Sequence, residues 1–449
     1  MVMSMLRFGT DGVRGRVGVD LLEHDVELLG AAVAQEWAGA GVIIGHDGRE
    51  SGESLVAAFA AGAASHGAAI SNAGLLPTPA LARIAARRGC VAVAVTASHN
   101  PWHDNGVKVF APGGRKLTDD EQRRIESRWH SLGESARTTS SESRSGDPHG
   151  QVARLTGDEY VQELVGSLGV ADFAQQGVLL DCANGATSGV ARAVLVTLGM
   201  RAEAINDAPN GRNINDGCGA VHPERLAAQC AARSLIGVAF DGDGDRVIAV
   251  DEAGNVVDGD RIIALMAIDL HSQGRLAHDT VVVTSMTNLG FHRAMQEHGI
   301  TVVTTDVGDR AVLAAMELGG YVLGGEQSGH IINALHATTG DGVLAAVLLL
   351  DLVRRSKRSL SDLAESVMQR MPQVLRNVKL ASKPADVEAL IADELRRERS
   401  ELGDQGRIVV RASGTEPVVR VMVEASTTQI ANAIAERLER AVLARTGAS

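Results

Sequence analysis

The chain has 449 residues, a formal net charge of -12 and an aromatic content of only 2%. That length asks for several domains, roughly three, with cores built mainly from Ala, Val, Leu and Ile. The acidic balance argues against broad nucleic-acid binding, and the longest apolar run, Val343 to Leu350, falls far short of the roughly 20 residues that span a bilayer.

Cys90, Cys182, Cys218 and Cys230 show no C-x-x-C spacing, so a zinc site built from them is not expected. No hydrophobic leader opens the chain, and a reduced, cytoplasmic setting is the expectation. Phe8 to Gly15, FGTDGVRG, is rich in glycine but does not fit G-x-G-x-x-G, and no strand precedes it. A dinucleotide fold is therefore not supported.

A repeated pattern follows. Val42 to Ile44 is followed by a polar turn, Asp47-Gly48-Arg49, a helical stretch Glu53 to His66, and a strand Ala68 to Ile70. The pattern recurs as Val178 to Leu180, helix Val190 to Leu198 and strand Ala202 to Ile205. It recurs again as Val281 to Thr284, helix Phe291 to His298 and strand Ile300 to Val303. Each is a βαβ unit of about 30 residues, which builds parallel sheet. Three α/β domains of similar plan are expected.

Within the first unit, the apolar run Val91 to Val95 reads as a buried strand. The chain then turns polar: Thr96, Ser98, His99, Asn100, Pro101. A hydroxyl at the end of a buried strand, in a loop stiffened by proline, is a common place for a nucleophile. Equally, these side chains can do no more than satisfy turn backbone groups. No G-x-S-x-G elbow accompanies Ser98. Gly133 to Gly150 has no apolar period and reads as a surface loop, and Gly157 to Leu168 reads as a helix leading into the second unit.

Asp241, Asp243 and Asp245 alternate with glycine between two apolar strands, Ile236 to Phe240 and Val247 to Val250. Two carboxylates about 4 Å apart repel by on the order of 4 kcal/mol at a surface-like dielectric. A hard cation such as Mg²⁺ or Ca²⁺ removes that cost. An EF-hand fails because its sixth position is Arg246 rather than the required glycine, and because the flanks alternate like strands. Three carboxylates leave coordination positions for water or a phosphate oxygen.

Glu326, Ser328 and His330 follow a short apolar strand, Tyr321 to Leu323. Their alternation could project carboxylate, hydroxyl and imidazole to one face, a set suited to sugar hydroxyls; a glycine-rich turn with a solvated rim is the alternative. Thr338 to Asp341 looks like the cap of a helix from Gly342 to Arg354. Residues 384 to 399 look helical. Arg407 to Val410 and Val418 to Val423 read as strands around Arg411, Ser413, Gly414, Thr415 and Arg420, and a helix Thr427 to Leu443 follows, giving a small α+β domain. Arginines, hydroxyls and exposed glycine backbone make a phosphate cradle, or else an ordinary hairpin loop.

In order, FGTDGVRG, TASHNP, DGDGDR, GEQSGH and RASGTEP resemble the motifs of the α-D-phosphohexomutase superfamily, over essentially the whole chain. Within it the chain is most similar to the bacterial phosphoglucosamine mutases. The pointers are FGTDGVRG, GEQSGH in place of GEMSGH, and Thr305 to Arg310, where phosphomannomutase/phosphoglucomutases tend to carry a histidine near Asp309. Trp102-His103 replaces the more usual aromatic pair. The resemblance implies three similar mixed α/β domains and a smaller α+β C-terminal domain around a central cleft. It divides the chain at 1–155, 156–257, 258–370 and 371–449.

It implies interconversion of glucosamine 6-phosphate and glucosamine 1-phosphate, with glucosamine 1,6-bisphosphate as intermediate, on the route to UDP-N-acetylglucosamine. It makes Ser98 a phosphoserine and makes Asp241, Asp243, Asp245 and the Ser98 phosphate the ligands of one Mg²⁺. Lys108, Arg14 and Arg246 line the catalytic cleft; Glu326, Ser328 and His330 bind sugar; Arg411, Ser413, Gly414, Thr415 and Arg420 bind the distal phosphate. The expected partner is a small phosphosugar, with no nucleic acid and no membrane, in a homodimer. The closer alternative is a phosphomannomutase/phosphoglucomutase of the same superfamily; a metal-dependent sugar phosphatase and a non-catalytic sugar-phosphate sensor are the other classes that share these features.

Overall fold

The computed structural model describes residues 7–9, 12–138, 153–169, 173–381, 386–412 and 417–446. These form four sheets, each with its own helices, numbered here as units one to four in chain order.

The first three sheets share one strand order. In the first it runs Asp104–Ala111, Val91–Val95, Val42–His46, Ile70–Leu75, with Val13–Arg16 and Ala153–Arg154 added at the two edges. In the second it runs Val247–Val250, Ile236–Phe240, Gly177–Asp181, Arg201–Ile205. In the third it runs Ile331–Asn333, Leu323–Gly325, Thr280–Thr284, Thr301–Thr305. In each, the last three strands of that order are parallel. The first-named is antiparallel to its neighbour and follows it directly in the chain. The βαβ reading is thus right but incomplete. A third parallel strand and a returning antiparallel strand complete every unit. The third strands were legible as the apolar runs Val91–Val95, Ile236–Phe240 and Tyr321 to Leu323, and so was Val247–Val250; the returning strands Asp104–Ala111 and Ile331–Asn333 were not, because each leaves a polar motif. The stretch after Ser98 becomes strand at Asp104, so Lys108 lies on a strand and not in a loop.

All five residues of Val91–Val95 are buried, as expected of β-branched and small residues in a parallel strand covered on both faces. Helices Glu23–Glu36 and Gly52–Ala64 cover one face of the first sheet, and their core includes Leu29, Val33, Leu55 and Phe59. A second, larger cluster runs from Leu81 and Ile84 of the first unit through Leu180 and Phe240 of the second to Val343 and Leu350 of the third. Each such side chain contributes about 1.5–3 kcal/mol by leaving water, so the first three units are welded into one body.

The fourth unit differs. Its sheet has three antiparallel strands, Gln373–Lys379, Val418–Glu424 and Arg407–Ala412, the first of which the sequence pattern does not announce. Helix Thr428–Thr446 packs on it, and the helical stretch expected over 384–399 is broken at Ile391 into Val387–Leu390 and Ala392–Leu402. Its core, with Val419, Val421, Ile434 and Leu438, is separate from the larger cluster.

Residues 139–150 of the expected loop lie outside the described residues; from Gly133 to Thr138 the chain is still helix Asp119–Thr138. Helix Gly157–Leu168 falls where the sequence places it. Asp341 caps helix Gly342–Ser356 by accepting from Leu344 N at 3.0 Å.

Candidate active site

The turn between the third and returning strand of each unit points to one place. Those turns carry Ser98, the Asp241–Arg246 loop, and Glu326 to His330. They touch through a bridge between Arg246 and His330, and through Val247 N donating to Gly329 O at 3.0 Å.

Ser98 is fully buried and has a left-handed backbone, φ 53°, a conformation uncommon for a residue with a side chain. A cage of hydrogen bonds holds it there. The guanidinium of Arg49, itself 0% exposed, donates to the carbonyls of Ser98 and Asn100 at 2.9 Å, to that of Asp104 at 3.0 Å, and to that of Pro101. Its Nε pairs with Asp47 at 2.9 Å, and Asp47 accepts from Thr96 Oγ1 at 2.6 Å. From the second unit, Asn215 Nδ2 also donates to Ser98 O at 2.9 Å. Sequence reading missed Arg49 and Asn215. Asp47-Gly48-Arg49 was legible only as a polar turn.

The Ser98 hydroxyl donates to Asp241 Oδ2 at 2.7 Å. The metal loop can come this close because of its glycines. A Cβ on Gly242 would stand 2.5 Å from the Ser98 carbonyl oxygen, and Gly244 has φ +73°. Oxygens of Asp241, Asp243 and Asp245, all buried, lie within 4.8 Å of one another. Asp243 Oδ1 and Asp245 Oδ1 are buried without hydrogen-bond partners. An all-oxygen donor set with unsatisfied, inward-facing atoms fits a hard divalent cation. Lys108 Nζ bonds both Asp243 and Asp245 at 2.9 Å, and Thr78 Oγ1, another residue not anticipated, donates to Asp243 Oδ2 at 2.7 Å.

The charges are tightly interlocked. Burial, then Asp245 and Asp243, push the Asp241 carboxyl well above the usual range. Burial also pushes Asp245 upward, but Lys108, His330 and Arg246 outweigh it and hold that carboxyl well below. His99 stands 3.5 Å from Ser98 Oγ and 3.3 Å from Arg246 Nη1. Burial, with Arg246 and Arg14 nearby, lowers it to about 4, so it is neutral at pH 7. Arg14, on the edge strand opposite Gly106, therefore belongs to the same electrostatic neighbourhood.

Glu326, Ser328 and His330 do not share a strand face. They form the turn between Leu323–Gly325 and Ile331–Asn333, so strand alternation does not apply to them. Ser328 is exposed, Glu326 half-buried and His330 buried. Glu326 accepts from Gly308 N at 3.0 Å. His330 lies between two carboxylates, with Nδ1 3.7 Å from Asp245 and Nε2 3.6 Å from Asp309. Asp309 also pairs with Lys116, while Arg310 bonds Gln122 at 2.7 Å and also Asp119. The Thr305 to Arg310 motif thus ties the third unit to the first, a role its sequence did not reveal.

In the fourth unit, Arg411 and Arg420 sit directly opposite each other on neighbouring strands. Burial and Arg420 lower Arg411, and Glu326 and Asp306 of the third unit partly offset this. Arg411 therefore lies within electrostatic reach of the Glu326 turn. Ser413, Gly414 and Thr415 lie outside the described residues.

Three domain models match the chain on either side of the acidic loop. Residues 5–135 match the phosphoglucomutase/phosphomannomutase alpha/beta/alpha domain I, 258–371 match domain III, and 375–441 match the C-terminal domain. The chain belongs to the phosphoglucomutase/phosphomannomutase family. More particularly, it is 48% identical to the phosphoglucosamine mutase of Acidothermus cellulolyticus, over 98% of this chain and 96% of that one. A phosphoglucomutase/phosphomannomutase family protein from Burkholderia thailandensis has the same fold, with a TM-score of 0.77 at 23% identity over 97% of each chain. An Aspergillus fumigatus N-acetylphosphoglucosamine mutase, solved with GlcNAc-6P and magnesium, superposes with a TM-score of 0.68 at 19% identity, over 99% of this chain and 96% of that one.

Proposed function

We propose that the chain is a phosphoglucosamine mutase, an isomerase that interconverts glucosamine 6-phosphate and glucosamine 1-phosphate. Ser98, once phosphorylated, gives its phosphoryl group to the free sugar hydroxyl. The resulting glucosamine 1,6-bisphosphate turns over, and its other phosphate returns to Ser98. The observation that carries this is the Ser98 hydroxyl lying 2.7 Å from Asp241 on a loop with orphaned carboxylate oxygens. Asp241, Asp243 and Asp245, with the serine phosphate, would hold one Mg²⁺, which when bound neutralises charge on the transferring group. Phosphate-monoester chemistry in water is among the slowest known, and the complete burial of Ser98 keeps water from competing.

The remaining roles are part of the same proposal. Lys108, Arg14 and Arg246 supply positive charge around the reacting phosphoryl group. Glu326, Ser328 and His330 read the sugar. Arg411, Ser413, Gly414, Thr415 and Arg420 hold whichever phosphate is not reacting. Boundaries at 1–155, 156–257, 258–370 and 371–449 give each domain one of these turns. The four cysteines are unpaired and buried, in keeping with a reduced cytoplasmic setting. Among the described residues no helix is long and apolar enough to cross a membrane.

Intact-protein mass and turnover test the proposal together. Active enzyme should carry one phosphoryl group that Ser98→Ala abolishes along with mutase activity; full activity in Ser98→Ala would reject it. The names of the matching domain models favour glucose or mannose phosphates as a second reading. Comparing kcat/KM for glucosamine, glucose and mannose 6-phosphates decides between them. Release of inorganic phosphate at mutase-like rates would instead mark a phosphatase. Light scattering tests the homodimer.

A further inference from the structure

Gln327 stands between Glu326 and Ser328, yet its side chain turns to the protein interior. Its Nε2 donates to Asp260 Oδ2 at 3.2 Å, and its carbonyl accepts from Gly259 N at 3.0 Å. Asp260 is fully buried. The same Oδ2 accepts from Asn288 N at 2.8 Å. Asn288, also fully buried, spends its side chain on the start of the fourth unit. Its Nδ2 donates to Met371 O at 3.0 Å and to Glu424 Oε1 at 3.1 Å, and its Oδ1 accepts from Met371 N at 2.9 Å. Glu424, 0% exposed, accepts further from Leu289 N and Arg407 Nε, each at 3.1 Å.

A continuous chain of hydrogen bonds therefore runs from the 326–330 turn to the fourth unit. It ends at one end of a hairpin in which Arg407 opposes Glu424 and Arg411 opposes Arg420. Four residues of strand, about 13 Å, separate the anchored end from the arginine pair. At the arginine end the Glu326 carboxylate acts on Arg411. One end of the hairpin is thus bonded to the turn through Gln327, and the other lies within electrostatic reach of Glu326.

We propose that Gln327, Asp260 and Asn288 are positioning residues that couple the sugar turn to Glu424, and so fix the distance between that turn and the phosphate arginines. A sugar ring and its non-reacting phosphate belong to one ligand, so the two protein parts that hold them have to stay in register with each other. Two buried carboxylates are a costly way to join units whose apolar cores are separate. Burial pushes the Asp260 carboxyl up to about 7 and raises Glu424 too. A saturated polar network has the geometric specificity that an apolar contact lacks.

The proposal rests on the assignment of the 326–330 turn to substrate, and a double-mutant cycle separates the two. Gln327→Met removes the donor, and Glu424→Gln removes the charge at the far end. Each single change should raise KM for glucosamine 6-phosphate by about 3- to 10-fold with kcat within twofold, and the double variant should be no worse than the worse single. Effects that multiply in the double, or a Gln327→Met enzyme with unchanged KM, overturn the coupling. Glu326→Ala is the control. If it leaves KM unmoved, the assignment of the turn itself fails; if it raises KM while the cycle is multiplicative, only the coupling fails. Should Glu424→Gln not fold, Glu424→Asp takes its place in the same cycle.

Discussion

The Ser98 loop and the Arg411–Arg420 pair hold their charges in opposite ways. Around Ser98 the strained backbone is held from within the protein: Arg49 alone reaches four carbonyls and Asp47. In the fourth unit two guanidinium groups oppose each other across a strand pair, an arrangement that is unfavourable by itself. A serine that must meet a phosphoryl group in line gains from being fixed in advance. On the proposed mechanism the cradle accepts two different phosphates in turn, and it gains from positive charge that Glu326 and Asp306 offset only in part.

Four measurements break or sharpen this contrast. The largest effect belongs to Asp243→Asn, which should lower kcat on the order of 10³-fold, the scale of losing one preorganised electrostatic contact. Substrate affinity should change much less, and an unchanged kcat would remove Asp243 from the chemistry. Next, Arg49→Met leaves Asp47 buried and unpaired and frees the Ser98 loop. Stability should fall by about 3–5 kcal/mol and kcat by about 10²-fold, read by denaturant titration and turnover on the folded fraction. Arg411→Ala should do the reverse. KM should rise about 10- to 100-fold, the loss of about 1.5–3 kcal/mol expected of a charge-assisted bond. Its thermal midpoint should not fall, because a like-charge pair is relieved; a variant as unstable as Arg49→Met would dissolve the contrast.

The last measurement concerns pH. Burial holds the Asp260 proton up to about 7, against an ordinary value of 3.8. The folded state then binds more protons than the unfolded between those values, so stability falls as pH rises from 3.8 to about 7 and levels off above. Asp260→Asn should have a flatter profile. Thermal midpoints of the two proteins from pH 5 to 8 give the difference, which should narrow as pH is lowered.

Much of this was legible in the chain. Ser98, the three aspartates and the 324–330 turn carry motif, and strands Val91–Val95 and Ile236–Phe240 carry an unbroken apolar run. What was not legible is tertiary. Nothing local to Arg49 says that its guanidinium will cap a loop some fifty residues on. Thr78 and Asn215 lie in no motif, and Asp309 was legible only as part of the Thr305 to Arg310 resemblance. The alternation argument for Glu326 to His330 failed because period two marks a strand, whereas three glycines nearby favour a turn. Strand Gln373–Lys379 was missed because its burial alternates weakly along its length. Its place in the sheet is decided by pairing with Val418–Glu424.

The three reacting turns each leave the third parallel strand of a unit and return antiparallel beside it. Phe240 pairs with Val247 and Gly325 with Ile331 where two of those hairpins close. The third turn is not free to vary alone, however. Gly329 O accepts from Val247 N at 3.0 Å and His330 stands 3.7 Å from Asp245, so replacing the five residues between Gly325 and Ile331 for protein engineering also disturbs the acidic turn, and the two have to be redesigned together.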